Sequence, residues 1–425
     1  MKNSYWMKPL TISLLSLLGA SACSDAPAEP VKKQIVASEK AHQLAQQHII
    51  VDTHIDVPYR LEGQYEDVTK ATAKGEFDLP RAQQGGLNAA FMSIYTPPKL
   101  EDEPGQHRYG PKAMADLLID RVEAIVGRAP GSFSLAYTVK DIEENYAAGK
   151  VSLPLGMENG SPIEGNIENL SHFYQRGVRY ITLAHSESNH ISDSSYSEDK
   201  PWQGLSPFGK ELVKEMNQLG IMIDVSHVSD QAFFQVMELS EAPVIASHSS
   251  LRHFTPGMER NMSDEMLTAL KDNGGVIQIN FGSYFLTNEA YQWDETKEAN
   301  IQAFMKQHGL TEDDEKVTEF KADYRQQHPY PFATLDDVLD HIDRAVEIAG
   351  IDYVGIGSDY DGVGDSLPTG LKDVSSFPNL VEGLLQRGYS DEDIGKILGK
   401  NLLRVWRQVE TVAQQSAAAN KATAI

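Results

Sequence analysis

Eight short apolar runs punctuate the sequence, and six of them end on a histidine, an aspartate or a glutamate. The runs are His48–Asp56, Leu87–Tyr95, Val151–Glu158, Tyr180–His185, Ile221–His227, Pro243–His248, Gly275–Asn280 and Tyr353–Asp359. Each is too short for a core helix, and many are β-branched, so each reads as a buried strand. Helix-like segments lie between several of them: Pro111–Val126, Asn166–Gln175, Phe208–Leu219, Asp230–Leu239, Ser263–Leu270 and Leu335–Ala349. Ser263 stands where an N-cap belongs, and Gly220, Gly274 and Gly350 stand where helices should stop. Strands alternating with helices predict a parallel sheet, and eight of them predict a closed (β/α)8 TIM-like barrel. The rival, an open doubly wound sheet, requires a glycine-rich phosphate loop after an early strand, and no G-x-G-x-x-G follows the first run.

The C-terminal strand ends of such a barrel share one rim. That rim would gather His54 and Asp56 from the first run, Glu158 from the third and His185 from the fourth. It would add His227, His248 and Asp359 from the fifth, sixth and eighth. His54 and Asp56 are two residues apart, so on a strand they face the same side. Taken singly, several have plainer readings. His185 could be a core histidine satisfied by a carbonyl, Asp361 an Asx-turn residue before Gly362, and Asp224 a purely structural hydrogen-bonding group. Taken together, so many ionisable groups are too costly to bury without cations or partners, which predicts a metal centre. His54, Asp56, Glu158, His227 and His248 form two sets of three ligands if Glu158 bridges two ions. Nitrogen and oxygen donors without thiolate favour zinc, with manganese or iron as alternatives. Two such ions would hold a hydroxide between them and lower its pKa.

At 425 residues the chain suits one barrel with insertions. Its formal charge of −24 leaves no basic patch for nucleic acid. The first 22 residues read as a signal peptide: Lys2 and Lys8, then apolar Leu10–Leu18, then small residues Gly19–Ala22. The sole cysteine, Cys23, follows at once, and Leu17–Cys23 resembles a bacterial lipoprotein signal. Cys23 is therefore expected to be lipidated, anchoring the protein to the bacterial cell envelope facing the periplasm, with 23–40 as a polar tether. A single cysteine permits no internal disulfide. The barrel is expected over 41–408, with an irregular lid over 59–81 and an inserted helical segment at about 288–331 on the catalytic side. Closing helices are expected at Asn379–Arg387 and Asp391–Val405, and a fraying tail at 409–425.

Asp52-Thr53-His54-Ile55-Asp56, Gly156-Met157-Glu158-Asn159-Gly160, Tyr180–His185, Asp224–Ser229, Ser247–Ser250, Arg260-Asn261 and Gly355–Gly362 occur in this order. Together they resemble the membrane (renal) dipeptidase family, the M19 metallopeptidases of the amidohydrolase superfamily, over about Ile49 to Val405. The resemblance implies that His54 and Asp56 bind one zinc, His227 and His248 the other, and that Glu158 bridges them. It implies that His185 and Arg260 bind substrate, Arg260 being preferred to Arg252 on its Arg-Asn context, and that Asp359 is the acid/base. It also implies dipeptides as substrates, with a D-residue as a candidate at the C-terminal position, and a homodimeric assembly. Asn159 departs from a glycine common after the bridging glutamate, and the 288–331 segment is longer than in the shortest members.

The implied chemistry is attack by the bridging hydroxide, with His185 donating to the oxyanion and Asp359 moving the proton to the leaving amine. Arg260 suits a carboxylate because its donors form a rigid fork. Two rivals stand beside this reading. One is a related amidohydrolase acting on another small amide, a lactone or a β-lactam; the lysine bridge of many such enzymes has its place taken by Glu158. The other is a non-catalytic metal- or peptide-binding envelope lipoprotein, for which Asp359 would be superfluous. Trp202 is expected either to wall the substrate pocket or to pack its own loop.

Overall fold

The computed structural model describes residues 35–102 and 108–423. The expected signal peptide, Cys23 and most of the tether lie outside the described residues. Ten strands follow in chain order: β1 Ile50–Ile55, β2 Leu87–Tyr95, β3 Phe133–Leu135, β4 Val151–Leu153, β5 Leu155–Glu158, β6 Val178–Thr182, β7 Met222–Asp224, β8 Ile245–Ser249, β9 Val276–Ile279 and β10 Val354–Ile356. Going round, β1, β2, β5, β6, β7, β8, β9 and β10 pair in parallel, and β10 returns to β1 through Asp52 and Ile356. This is the closed eight-stranded barrel that the alternation predicts.

The third apolar run departs from expectation. It breaks at Pro154 into β4 and β5, because proline has no N–H for the ladder. The Pro154 carbonyl still accepts from Met92 N–H at 2.9 Å. Below the break, β4 pairs with β2 and carries β3 outside the ring; above it, β5 takes the barrel position and ends on Glu158. Several strands are also shorter than their runs. His185, His227 and Asp359 therefore lie in the loops just beyond β6, β7 and β10.

The helices begin where serine or asparagine offers an oxygen to a free N–H. Ser206, Ser229 and Ser263 cap Pro207–Leu219, Asp230–Leu239 and Asp264–Asn273, and Asn166 caps Ile167–Gln175. The inserted segment forms two helices, Asn288–His308 and Glu315–Gln327, which bury little beyond Ala290, Ile301 and Val317. Phe304 and Phe320 stack at 4.4 Å to join them.

The last helix runs from Asn401 to Thr423, so residues 409–423, where a fraying tail was expected, are helical. The reason lies in its first turns. Leu402, Val405, Trp406 and Val409 are buried against Val51, Phe91, Tyr180 and Val276 of the barrel strands. Trp406 is fully buried and meets Phe91 at 5.4 Å. Fully burying an indole contributes on the order of 2–3 kcal/mol in transfer free energy.

Candidate metal centre

His54, Asp56, Glu158, His227, His248 and Asp359 are all buried and converge at one end of the barrel. Glu158 is the hub. Its Oε2 lies 3.3 Å from His54 Nε2, and its Oε1 lies 3.2, 3.3 and 3.4 Å from Nε2 of His185, His227 and His248. The two oxygens of one carboxylate thus face different histidines. Asp56 sits one residue past β1, and its Oδ2 reaches to 3.4 Å from His54 Nε2. Three clusters of candidate ligand atoms overlap here: His54, Asp56 and Asp359; Glu158, His185 and His227; and His54, Glu158 and His248.

The surrounding hydrogen bonds fix which ring nitrogens face this point. The Tyr180 hydroxyl donates to the Thr53 carbonyl at 3.0 Å and lies 2.8 Å from His54 Nδ1. Its one proton is committed, so Nδ1–H is the donor to it, and His54 Nε2 presents a lone pair. That Nε2 is buried and has no hydrogen-bond partner. The same logic holds for His248. Ser247 Oγ donates to Asp224 Oδ2 at 2.6 Å and lies 2.8 Å from His248 Nδ1, so Nδ1–H is the donor there and His248 Nε2 presents a lone pair. His227 Nε2 and His248 Nε2 are 2.7 Å apart. Outer groups that set a histidine's tautomer in this way are what a ligated imidazole requires. Bare nitrogens and carboxylates converging out of water fit a divalent cation.

The electrostatics agree. Burial, with Arg260 and His185 nearby, holds His227 well below the usual histidine range, and burial, His54 and Arg260 do the same for His248. Against burial, the His54 and His185 imidazoles hold Glu158 well below the usual carboxylate range. Burial opposes charge on His54, yet Tyr180, Glu158 and Asp56 raise it well above normal. Asp359 is pushed up to about 7 by burial, with Asp56 and Glu158 adding to the rise and His54 and an Asn280 hydrogen bond opposing it.

Backbone geometry at the rim is unusual. His227, Asp359 and Asn159 adopt φ of +71°, +63° and +72°, a region non-glycine residues rarely occupy and one often found at functional sites. Asparagine tolerates it best of the three. Asn159 stands in for glycine there while donating to Thr96 O and accepting from Ser161 N–H and Asn189.

A cavity of about 770 Å³ opens onto Asp56, Glu158, His185, His227 and Asp359. Tyr59, Tyr95, Tyr196 and Tyr284 wall it, and Asp294, Glu295, Lys297, Glu298 and Arg325 of the inserted helices reach it, so the insertion borders the cavity. Arg260 is 4% exposed and does not line the cavity; it donates to Ser249 Oγ and the His248 carbonyl, and its Nε–H has no partner. Arg252 is committed to a two-point ion pair with Asp230 at 2.6 and 2.8 Å. Trp202 does not line the cavity, and its Nε1–H donates to Asn189 O, so it packs its loop. Asp224 makes the hydrogen bonds expected of it, accepting from Thr182, Ser226 and Ser247, and the Ser247 hydroxyl leads on to His248 Nδ1. Sequence reasoning missed Asn280, which ends the seventh run and donates to Asp359 Oδ2 at 2.7 Å. It also missed Tyr180, and Tyr95, whose ring lies 4.8 Å from that of His185.

A parallel (β/α)8 barrel that gathers histidines and carboxylates at one end of its strands defines a metal-dependent hydrolase. Residues 38–420 match the family described as membrane dipeptidase, peptidase family M19. The chain is 35% identical over 342 residues to dipeptidase tcpJ of Claviceps purpurea, covering 80% of this chain and 70% of that one. It is 31% identical over 396 residues to the uncharacterized dipeptidase C965.12 of Schizosaccharomyces pombe, covering 89% and 85%. Among solved structures, the probable dipeptidase PvdM from Pseudomonas aeruginosa superposes with a TM-score of 0.76 at 30% identity, covering 88% of this chain and 98% of that one. A metallopeptidase from Rhodobacter sphaeroides, liganded with a phosphinate mimic of the dipeptide L-Ala-D-Ala, gives 0.69 at 25% identity, covering 85% and 99%. The chain belongs to the membrane dipeptidase family, M19. Among the described residues no helix is long and apolar enough to cross a membrane.

Proposed function

We propose that this protein is a zinc dipeptidase with two metal ions shared through Glu158, acting on dipeptides and accepting a D-residue at the C-terminal position. The observation that carries the proposal is the Glu158 carboxylate, whose two oxygens address separate histidines. His54 and Asp56 would hold one ion, and His227 and His248 the other. Ions bound there would lower the pKa of a shared water and polarise the scissile carbonyl. Asp359 takes the proton from the attacking water and passes it to the leaving nitrogen. Asn280 steers the Asp359 carboxyl through its amide. His185 donates to the developing oxyanion. Arg260, buried behind the rim with an unpartnered Nε–H, turns toward the cavity to receive the substrate carboxylate.

Elemental analysis of active protein is expected to give two zinc per chain, and a panel of L,L and L,D dipeptides should be hydrolysed while long peptides are not. A single metal per chain, intact dipeptides, or equal trimming of long peptides would overturn the proposal. The N-terminal sequence supports export and a lipid anchor on Cys23. Radiolabelled palmitate should enter the wild-type chain and not Cys23→Ser.

A further inference from the structure

Beyond the rim, one buried polar assembly has no part in the chemistry so far. It centres on Asp361, whose side chain is fully buried although the residue borders the cavity. Its Oδ2 accepts from Arg60 Nε–H at 2.8 Å, and its Oδ1 accepts from Glu76 N–H at 2.6 Å. In return, Asp361 N–H donates to Glu76 Oε2 at 2.7 Å. Arg60 also donates from Nη1 to Glu66 Oε2 at 2.7 Å. Three separate pieces of chain meet here: the helix Val57–Gly63 after β1, the loop carrying Glu66 and Glu76, and the turn after β10.

That turn carries Asp359. Asp359 N–H donates to His54 O at 3.1 Å, and Asp56 N–H donates to Tyr360 O at 2.9 Å, so the two rim segments are laced together. Between them passes Gly362. A Cβ on Gly362 would collide with both Asp359 Oδ1 and Asp56 Oδ2. The backbone at 362 therefore sits directly against two of the carboxylates the site depends on. Asp359 and Asp361 both hold positive φ, +63° and +65°, which non-glycine residues keep only when their surroundings impose it.

We propose that Asp361, clamped by Arg60 and Glu76, is a positioning residue that holds the 359–362 turn so that Asp359 and Asp56 keep their mutual placement. Both carboxylate oxygens of Asp361 are engaged, so it acts through the turn and not on substrate. Only the activity readout rests on the dipeptidase reading.

The test compares Arg60→Met, Arg60→Lys, Asp361→Asn and a control, Arg121→Ala. Arg121 braces the same helix through Pro58 O and Glu62 without touching Asp361. With a dipeptide substrate, Arg60→Met and Asp361→Asn should lose about 10- to 100-fold in kcat while KM stays within about threefold. Arg60→Lys should recover part of the loss, and Arg121→Ala should keep its kcat. Amide exchange by mass spectrometry on zinc-free protein should show faster exchange over residues 357–363 in Arg60→Met and not in Arg121→Ala. Unchanged kcat with unchanged exchange in Arg60→Met and Asp361→Asn would overturn the assignment, as would an equal loss in Arg121→Ala. If wild-type protein turned over no dipeptide, the dipeptidase reading would fail while the exchange data still decided the clamp.

Discussion

Glu158 and Asn280 pose the sharpest questions at the level of single side chains. Glu158→Gln removes the charge that the surrounding histidines face. The expected outcome is loss of dipeptide turnover together with at least tenfold weaker zinc retention in competition with a chelator. Asn280→Ala deletes a hydrogen bond that favours the charged form of Asp359. Its loss raises the Asp359 pKa, and because the proposed mechanism needs this base ionised, the acid limb of the kcat/KM profile should move to higher pH, with kcat down about tenfold. The residues legible in the sequence were those whose charge breaks an apolar run: His54, Asp56, Glu158, His185, His227, His248 and Asp359. Asn280 occupies the same kind of place, but an amide carries no charge and does not stand out. Tyr180 was hidden for the opposite reason, since a tyrosine inside an apolar run reads as core until its hydroxyl is seen against His54 Nδ1. Arg260 was legible as a motif, yet its burial behind the rim was not.

At the level of elements, the helix Leu335–Ile348 carries a buried device of its own. His341 Nδ1 accepts from Leu251 N–H at 3.0 Å, and its Nε2–H donates to Leu286 O at 2.9 Å, tying the loop after β8 to the short helix after β9. The bond from Leu251 N–H requires an unprotonated Nδ1, and so the neutral ring. Burial pushes its pKa down to about 4, with His253 adding and the Leu286 carbonyl and Asp337 opposing. Between pH 4 and 6.5 the unfolded chain takes up a proton here that the folded one refuses. This contribution to stability is complete above about pH 6.5 and is lost as pH falls towards 4, on the order of 3 kcal/mol in all. In His341→Gln the thermal midpoint should fall less steeply over that window than in wild type, which calorimetry at matched pH would read. Helix positions were legible from caps and periodicity, as with Ser263 and Gly274 around Asp264–Asn273. The split at Pro154 was not, because deciding which half joins the ring needs the neighbouring strand.

At the scale of the molecule, the eight-strand ring was legible because the runs alternate with helices, whereas the role of the C-terminal helix was not. Its apolar residues match a surface helix in spacing, and only the fold shows that Trp406 seats against Phe91. Trp406→Ala should lower stability by about 3–5 kcal/mol, measured by urea unfolding. Residues 414–421 are mostly exposed, and removing residues 414–425 should leave the thermal midpoint nearly unchanged.

The seam between β1 and β10 has a further consequence. Asp52 accepts from Ser358 N–H across 306 positions, and the same closure brings Asp359 up to His54. A growing polypeptide released residue by residue therefore owns no complete reaction centre until nearly its whole length has emerged. Contacts this distant in sequence form slowly. Hydrolytic power thus arrives only when β10 closes the ring, so a partly synthesised copy has no means of digesting its surroundings.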